Sequence, residues 1–205
     1  TSAIPITQLQ QNRKKPDRLV GMHWAEPAHA TRFMELIRGK HTSEKTFSRA
    51  ATLAKGMGKE PSLVQKDVPG FIVNRIGYAM YREAAHMVDQ GVADVETIDR
   101  SCRNAFGLWA AMCGPFRWID ITGGPEMYAK SIERVLPSLC SENDRLPELL
   151  ERLKQEGAGG QPTGSGFYEY NPDSLDWQER YHEFAWRAKA LLDEFYPLDN
   201  HQETQ

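Results

Sequence analysis

The sequence predicts a small α/β segment followed by a mainly helical region, and three observations carry that expectation. Two short apolar runs are divided by a proline; an amphipathic stretch and a third apolar run follow; past Asp67 the apolar residues change to a spacing of threes and fours. "RLVGMHW" (18–24) and "RFMELI" (32–37) are bounded by turn residues and read as strands, since Pro27 forbids one helix through both. "TSEKTFSRAATLAKGMGK" (42–59) opens on a Thr/Ser cap with Glu44 in its first turn. It spaces Phe47, Ala50, Leu53 and Ala54 helically and stops near Gly56 or Gly58. "PSLVQK" (61–66) is the third strand, so the segment is too small to stand alone and a larger sheet is expected beside it.

From Asp67 onwards the pattern is helical. Asp67 is expected to cap a helix entered through Pro69, with Ile72, Val73, Ile76, Met80, Ala84, Met87 and Val88 on one face and Gly91 as its stop. Asp94 caps a second helix, which Gly107 is expected to end, and further helices lie around "PFRWIDIT", "EMYAKSIERVLPSL" and "PELLERLKQEG". The glycine cluster "GAGGQPTGSG" reads as a flexible connector, and "FYEY" after it as a short extended piece. A final helix over 174–196 carries a stripe of Trp177, Tyr181, Phe184, Ala188, Leu191 and Phe195. The stripe is expected to pack on its own bundle, the sharper alternative being a dimer or partner surface; the polar end "DNHQETQ" closes the chain.

Composition narrows the function classes. A net charge of -3 and a pI near 6.1 give no basic footprint for nucleic acid or an anionic membrane, and no stretch approaches the ~20 apolar residues of a membrane span. Cys102, Cys113 and Cys140 are odd in number and lack CxxC spacing, which points to reduced thiols in a cytoplasmic setting and away from a zinc cluster. The chain opens on "TSAIPIT" without an initiator Met, so further sequence is expected upstream.

If the first two strands form an antiparallel hairpin turning around residues 26–30, His23 and Glu35 can meet across it. A carboxylate on one imidazole nitrogen fixes the tautomer and leaves the other nitrogen to take a proton; the same pair can equally be a structural hydrogen bond. A metal set of His23, Glu26, His29 and Glu35 is disfavoured, because Pro27 prevents helical presentation and no HExxH exists. The glycine cluster follows a helix, the reverse of the strand, turn, helix order of a dinucleotide fingerprint. Asn74, in the first turns of its helix, offers a donor and an acceptor, or merely a solvated surface; "CGPFRW" reads as a packed helix junction, and Ser2 has no local reading.

Taken in order, "TSAIPIT", "GMHWAEP", "FMELIRG", "PGFIVNR", "MCGPFRWIDITG" and "TGSGFYEY" resemble the 3-hydroxyacyl-CoA dehydrogenase family from Thr1 to about Tyr170. The resemblance implies that residues 1–67 are the last strands of a Rossmann-like NAD-binding domain and 68–170 a helical domain for substrate and dimerisation. Residues 171–205 are then an amphipathic helical extension with a polar tail. It implies His23 as general base, Glu35 as its partner, Ser2 and Asn74 holding the substrate oxygen, and NAD as cofactor. The implied activity is oxidation of the 3-hydroxyl of an acyl-CoA, or a related 3-hydroxy substrate, in fatty-acid metabolism by a homodimer. The alternative is a non-catalytic helical dimerisation module that keeps the fold. Three departures accompany the resemblance. The Gly-rich NAD turn would lie upstream of Thr1, so this stretch alone is expected to be inactive; Glu26 replaces an Asn at a cofactor contact; Pro162 replaces a Lys.

Overall fold

The computed structural model describes residues 1–198 except 142–144, 172 and 175, and the side chain of Asp176; the polar end at 199–205 lies outside the described residues. The chain divides into two compact units, residues 1–77 with 175–205, and residues 78–174. The division falls inside one helix.

In the first unit, β1 (Gly21–His23), β2 (Phe33–Ile37) and β3 (Glu60–Val64) form a sheet in that order, β1 antiparallel and β3 parallel to β2. Alternation along the strands gives the sheet two different faces. Met34 and Leu36, both fully buried, pack with Phe47, Ala50 and Ala54 of helix α2 (Glu44–Gly56), and Met22 joins them from β1. Ser43 caps α2 as the sequence predicts, its hydroxyl accepting the Thr46 N–H at 3.2 Å. The opposite face carries Ile37 against Ile6 of a short helix α1 (Ile6–Gln10), together with Val64 and Phe71. Gly21 permits that approach, since a Cβ there would come within 2.7 Å of the Ile6 side chain.

Helix α3 (Val73–Asp89) begins later than the sequence suggests, and Asp67 does not cap it. The Asp67 carboxylate instead accepts the Thr7 N–H. Gly70 and Phe71, at φ +76° and +51°, turn the chain before the helix can start. The left-handed conformation of a buried Phe stores strain of about 1–3 kcal/mol, which its burial in the core must overcome.

The second unit is helical: the rest of α3, then α4 (Val95–Ser101), α5 (Gly107–Met112), α6 (Gly114–Ile121), α7 (Gly124–Val135) and α8 (Glu148–Gln155). Asp94 caps α4 as expected, accepting the Thr97 N–H at 2.7 Å. Gly107 does not end this stretch. A π-turn over Cys102–Phe106 carries the chain into α5, with the Gly107 N–H donating five residues back to the Cys102 carbonyl. A side chain at Gly107 would crowd that carbonyl, its Cβ at 3.2 Å. Asp89, at the end of α3, accepts the Leu149 N–H at 2.8 Å and so caps α8 from a distance.

The glycine cluster is more ordered than a flexible connector. Gln161–Thr163 form a 3-10 turn, and Ser165 bridges both Gly160 and Glu169 in antiparallel fashion, so only part of "FYEY" is extended. An apolar cavity of about 630 Å³ lies within this unit, lined by Tyr78, Tyr81, Ile98, Leu150, Phe167 and Tyr168 among others. The Tyr168 hydroxyl donates to Asp99 at 2.8 Å, and burial together with that bond pushes its pKa up to about 12.

The last helix, α9 (Asp176–Phe195), belongs with the sheet unit, not with the helical bundle on which its aromatic stripe was expected to pack. The stripe itself is exposed at Trp177, Tyr181, Phe184, Leu191 and Phe195, and among the described side chains of the helix only Ala185 is buried. Among the described residues no helix is long and apolar enough to cross a membrane, and no group of three or more His, Cys, Asp or Glu could hold a metal ion.

Candidate active site

The register of β1 on β2 sets His23 directly opposite Glu35. Their side chains project from the same face, and His23 Nδ1 lies 2.7 Å from Glu35 Oε2. Glu35 is fully buried and His23 is 7% exposed. The other carboxylate oxygen, Oε1, accepts two backbone N–H groups, those of Ile72 and Val73, each at 2.9 Å. Glu35 therefore does for α3 what Asp67 was expected to do. It satisfies donors at the start of the helix, with its negative charge at the positive end of the macrodipole.

This donor set assigns the imidazole tautomer. A carboxylate receiving two N–H groups on one oxygen acts as an acceptor on the other, so Nδ1 carries a proton and Nε2 is left with its lone pair. Among the described residues no hydrogen-bond partner meets Nε2. Two aromatic rings hold the imidazole in place, Phe71 at 5.6 Å and Phe33 at 6.1 Å between centroids, both in edge arrangements. The result is an oriented, largely buried imidazole with one ring nitrogen that takes no hydrogen bond among the described residues.

Asn74 follows Val73 immediately, and its amide donates to the backbone carbonyl of Ser2 at 2.8 Å. The structure thus joins these two predicted residues beside the start of α3, through the Ser2 main chain; the Ser2 side chain is exposed and Asn74 half-buried. Glu26 lies on the loop after β1, exposed, with a cis peptide bond to Pro27. Its carbonyl accepts the Tyr181 hydroxyl of α9 at 2.9 Å. Pro162 sits in the 3-10 turn of the helical unit. Of the disfavoured metal set, His29 lies against the rings of His182 and Trp186.

Sequence reasoning missed the Ile72 and Val73 N–H groups, the rings of Phe33 and Phe71, and Tyr181. One signal for the first was available. "VPGFIV" offers no Ser, Thr, Asn or Asp immediately before α3, so its opening N–H groups need an acceptor from elsewhere.

Comparison with known proteins places this geometry in context. Residues 1–68 match the model of the 3-hydroxyacyl-CoA dehydrogenase NAD binding domain, and residues 70–170 that of the 3-hydroxyacyl-CoA dehydrogenase C-terminal domain. The chain is 37% identical over 174 residues to the 5-formyl-3-hydroxy-2-methylpyridine 4-carboxylate 5-dehydrogenase of Mesorhizobium japonicum, covering 84% of this chain and 55% of that protein. It is 30% identical over 202 residues to the L-carnitine dehydrogenase of Staphylococcus epidermidis, covering 98% of this chain and 62% of the relative. The crystal structure of a 5-formyl-3-hydroxy-2-methylpyridine 4-carboxylic acid 5-dehydrogenase, an NAD+-dependent dismutase, superposes with a TM-score of 0.86. It is 33% identical and is matched over 96% of this chain and 62% of its own. The chain thus spans 55 to 62% of the length of these proteins.

The carboxylate network has a measurable cost of removal. Glu35→Leu leaves the Ile72, Val73 and His23 donors without their acceptor in a buried site, and is expected to destabilise the protein by roughly 3 kcal/mol in urea titration. A loss of less than about 0.5 kcal/mol would show that Glu35 does not hold the start of α3.

Proposed function

The chain belongs to the 3-hydroxyacyl-CoA dehydrogenase family, and from that membership we propose that the protein is an NAD-dependent dehydrogenase that oxidises a substrate hydroxyl with His23 as its general base. The observation that carries the reading is the His23–Glu35 pair, with Nδ1 bound to a fully satisfied carboxylate and Nε2 free. Nε2 takes the hydroxyl proton as the carbinol carbon becomes a carbonyl. Glu35 stabilises the imidazolium that forms, and the helix start behind it keeps the carboxylate from moving. Asn74 and Ser2, joined beside that helix start, serve as the donors to the substrate oxygen; Asn74 exchanges its bond to the Ser2 carbonyl for one to substrate. NAD, the cofactor of the family, supplies when bound the acceptor for the hydrogen and electron pair leaving the carbinol carbon.

The residues present fit the reactive end of such a cofactor and not its phosphates. His23, its Nε2 without a partner among the described residues, ends β1, and Glu26 with its exposed carboxylate follows three residues on. The glycine cluster at 157–166 lies in the helical unit between α8 and α9, so among the described residues no strand, glycine turn and helix forms a pyrophosphate cradle.

For the substrate, the relatives named for L-carnitine and for a pyridine carboxylate support a small hydroxy compound bearing a carboxylate. The second reading is a 3-hydroxyacyl-CoA, supported by the two domain models. Self-association through the helical unit is part of the same proposal. Leu108 and Phe116 of α5 and α6 are 72% and 82% exposed, more apolar surface than a solitary unit presents at no cost.

In the full-length protein His23→Gln is expected to lower kcat by about 10²- to 10⁴-fold while keeping the fold, assayed by NADH formation with L-carnitine, 3-hydroxybutyrate and 3-hydroxybutyryl-CoA. Unchanged turnover of whichever substrate is oxidised would remove His23 from the mechanism. Glu26→Asn should tighten NAD binding in a fluorescence titration if the carboxylate stands at the nicotinamide; an identical affinity would reject that placement. Phe116→Asp should shift sedimentation toward the monomer, and an unshifted profile would exclude this surface from the interface.

A further inference from the structure

Helix α9 lies beyond both matched domain models, the second of which ends at residue 170, and nothing in the proposed mechanism uses it. Its contacts are nevertheless concentrated. The Tyr181 hydroxyl donates to the Glu26 carbonyl at 2.9 Å. The His29 ring meets His182 at 5.6 Å and Trp186 at 5.7 Å. Arg32, whose side chain is 5% exposed, donates to the Tyr196 carbonyl at 2.7 Å and lies 3.4 Å from Asp193. All three fall on the connection that leaves β1 after His23 and enters β2 before Glu35.

The same connection is held from a second direction. Lys59 Nζ donates to the carbonyls of Ala28, at 2.5 Å, and Thr31. Burial, with the charge of Lys189 on α9 nearby, holds the Lys59 ammonium below the ordinary lysine range. From outside the connection its carbonyls at Glu26, Ala28 and Thr31 are thus bound, and the one at Glu26 is served by Tyr181 alone among the described residues. The Glu26 carboxylate itself is exposed and takes no partner among them.

We infer that α9 is a wall built onto the active-site loop, and that Tyr181 is a positioning residue that sets where Glu26 stands at the mouth of the site, and with it the affinity for the bound dinucleotide. The inference rests on the dehydrogenase reading above and deepens it. Among the described residues no hydrogen bond or ring contact joins Tyr181 to His23 or Glu35, so its effect belongs to binding and not to proton transfer.

Tyr181→Phe in the full-length protein removes the hydroxyl and keeps the ring. The expected result is a change of about fivefold in the NADH dissociation constant and in the KM for NAD, with kcat within about twofold and an unmoved thermal midpoint. In the Glu26→Asn background the same substitution should have a smaller effect than in the unmodified protein, because both act on one loop position. An unchanged affinity in the folded variant overturns the inference. So does a fall in kcat that tracks a fall in thermal midpoint, the signature of a merely structural helix; His182→Gln then checks whether loosening α9 elsewhere gives the same split. If the unmodified protein fails to bind NADH, the functional reading falls, and the inference with it; if it binds and Tyr181→Phe binds identically, only the inference falls.

Discussion

A single buried carboxylate organises the first unit. Glu35 is inaccessible to water, and a charge in that position is tolerated only when hydrogen bonds replace its hydration. Three donors do so, from elements far apart in sequence: the His23 ring on β1, and the Ile72 and Val73 N–H groups where α3 begins. Each partner is constrained in turn. The imidazole can donate from only one nitrogen, and α3 must start where its first free N–H groups reach Oε1. The left-handed Phe71 belongs to the same arrangement, since the turn at Gly70 and Phe71 delivers those N–H groups to Glu35 and lays the Phe71 ring against His23.

What was legible in the sequence follows from how local each determinant is. Two strand-like runs divided by a proline made an antiparallel hairpin one option, and within that option His23 and Glu35 can meet because facing residues of paired strands share a side of the sheet. The caps of α2 and α4 were legible because each lies three residues from the N–H it serves. The start of α3 was not. Its acceptor stands 37 residues upstream in Glu35, while the nearby Asp67, correct in type, is committed to Thr7. Gly107 misled in the opposite direction. Glycine at a helix end and glycine in a π-turn look alike in a sequence, and only the carbonyl of Cys102 distinguishes them.

The C-terminal helix shows a different limit. Its apolar spacing announced a buried face, yet Trp177, Tyr181, Phe184, Leu191 and Phe195 stand exposed and, among the described side chains, the one that is buried is Ala185; the helix meets residues 26 to 32 through polar and ring contacts that spacing does not record. Tyr181, His182 and Trp186 carried no mark of their destination. Ser2 and Asn74 lie between these extremes. Only resemblance linked them, and the structure joins them through a backbone carbonyl instead of two side chains.

The site therefore divides its work between two kinds of support. The proposed base and its carboxylate sit on paired strands and a helix start, where register and hydrogen bonding leave little freedom. Glu26 sits on a connection whose position depends on side chains from outside the sheet, Lys59 on one flank and α9 on the other. The outer supports are separate from the His23–Glu35 pair, since among the described residues no hydrogen bond joins α9 to either residue. Relatives aligned over most of this chain are named for molecules as different as a pyridine carboxylate and L-carnitine, so the span they share with it is used with more than one small molecule among them.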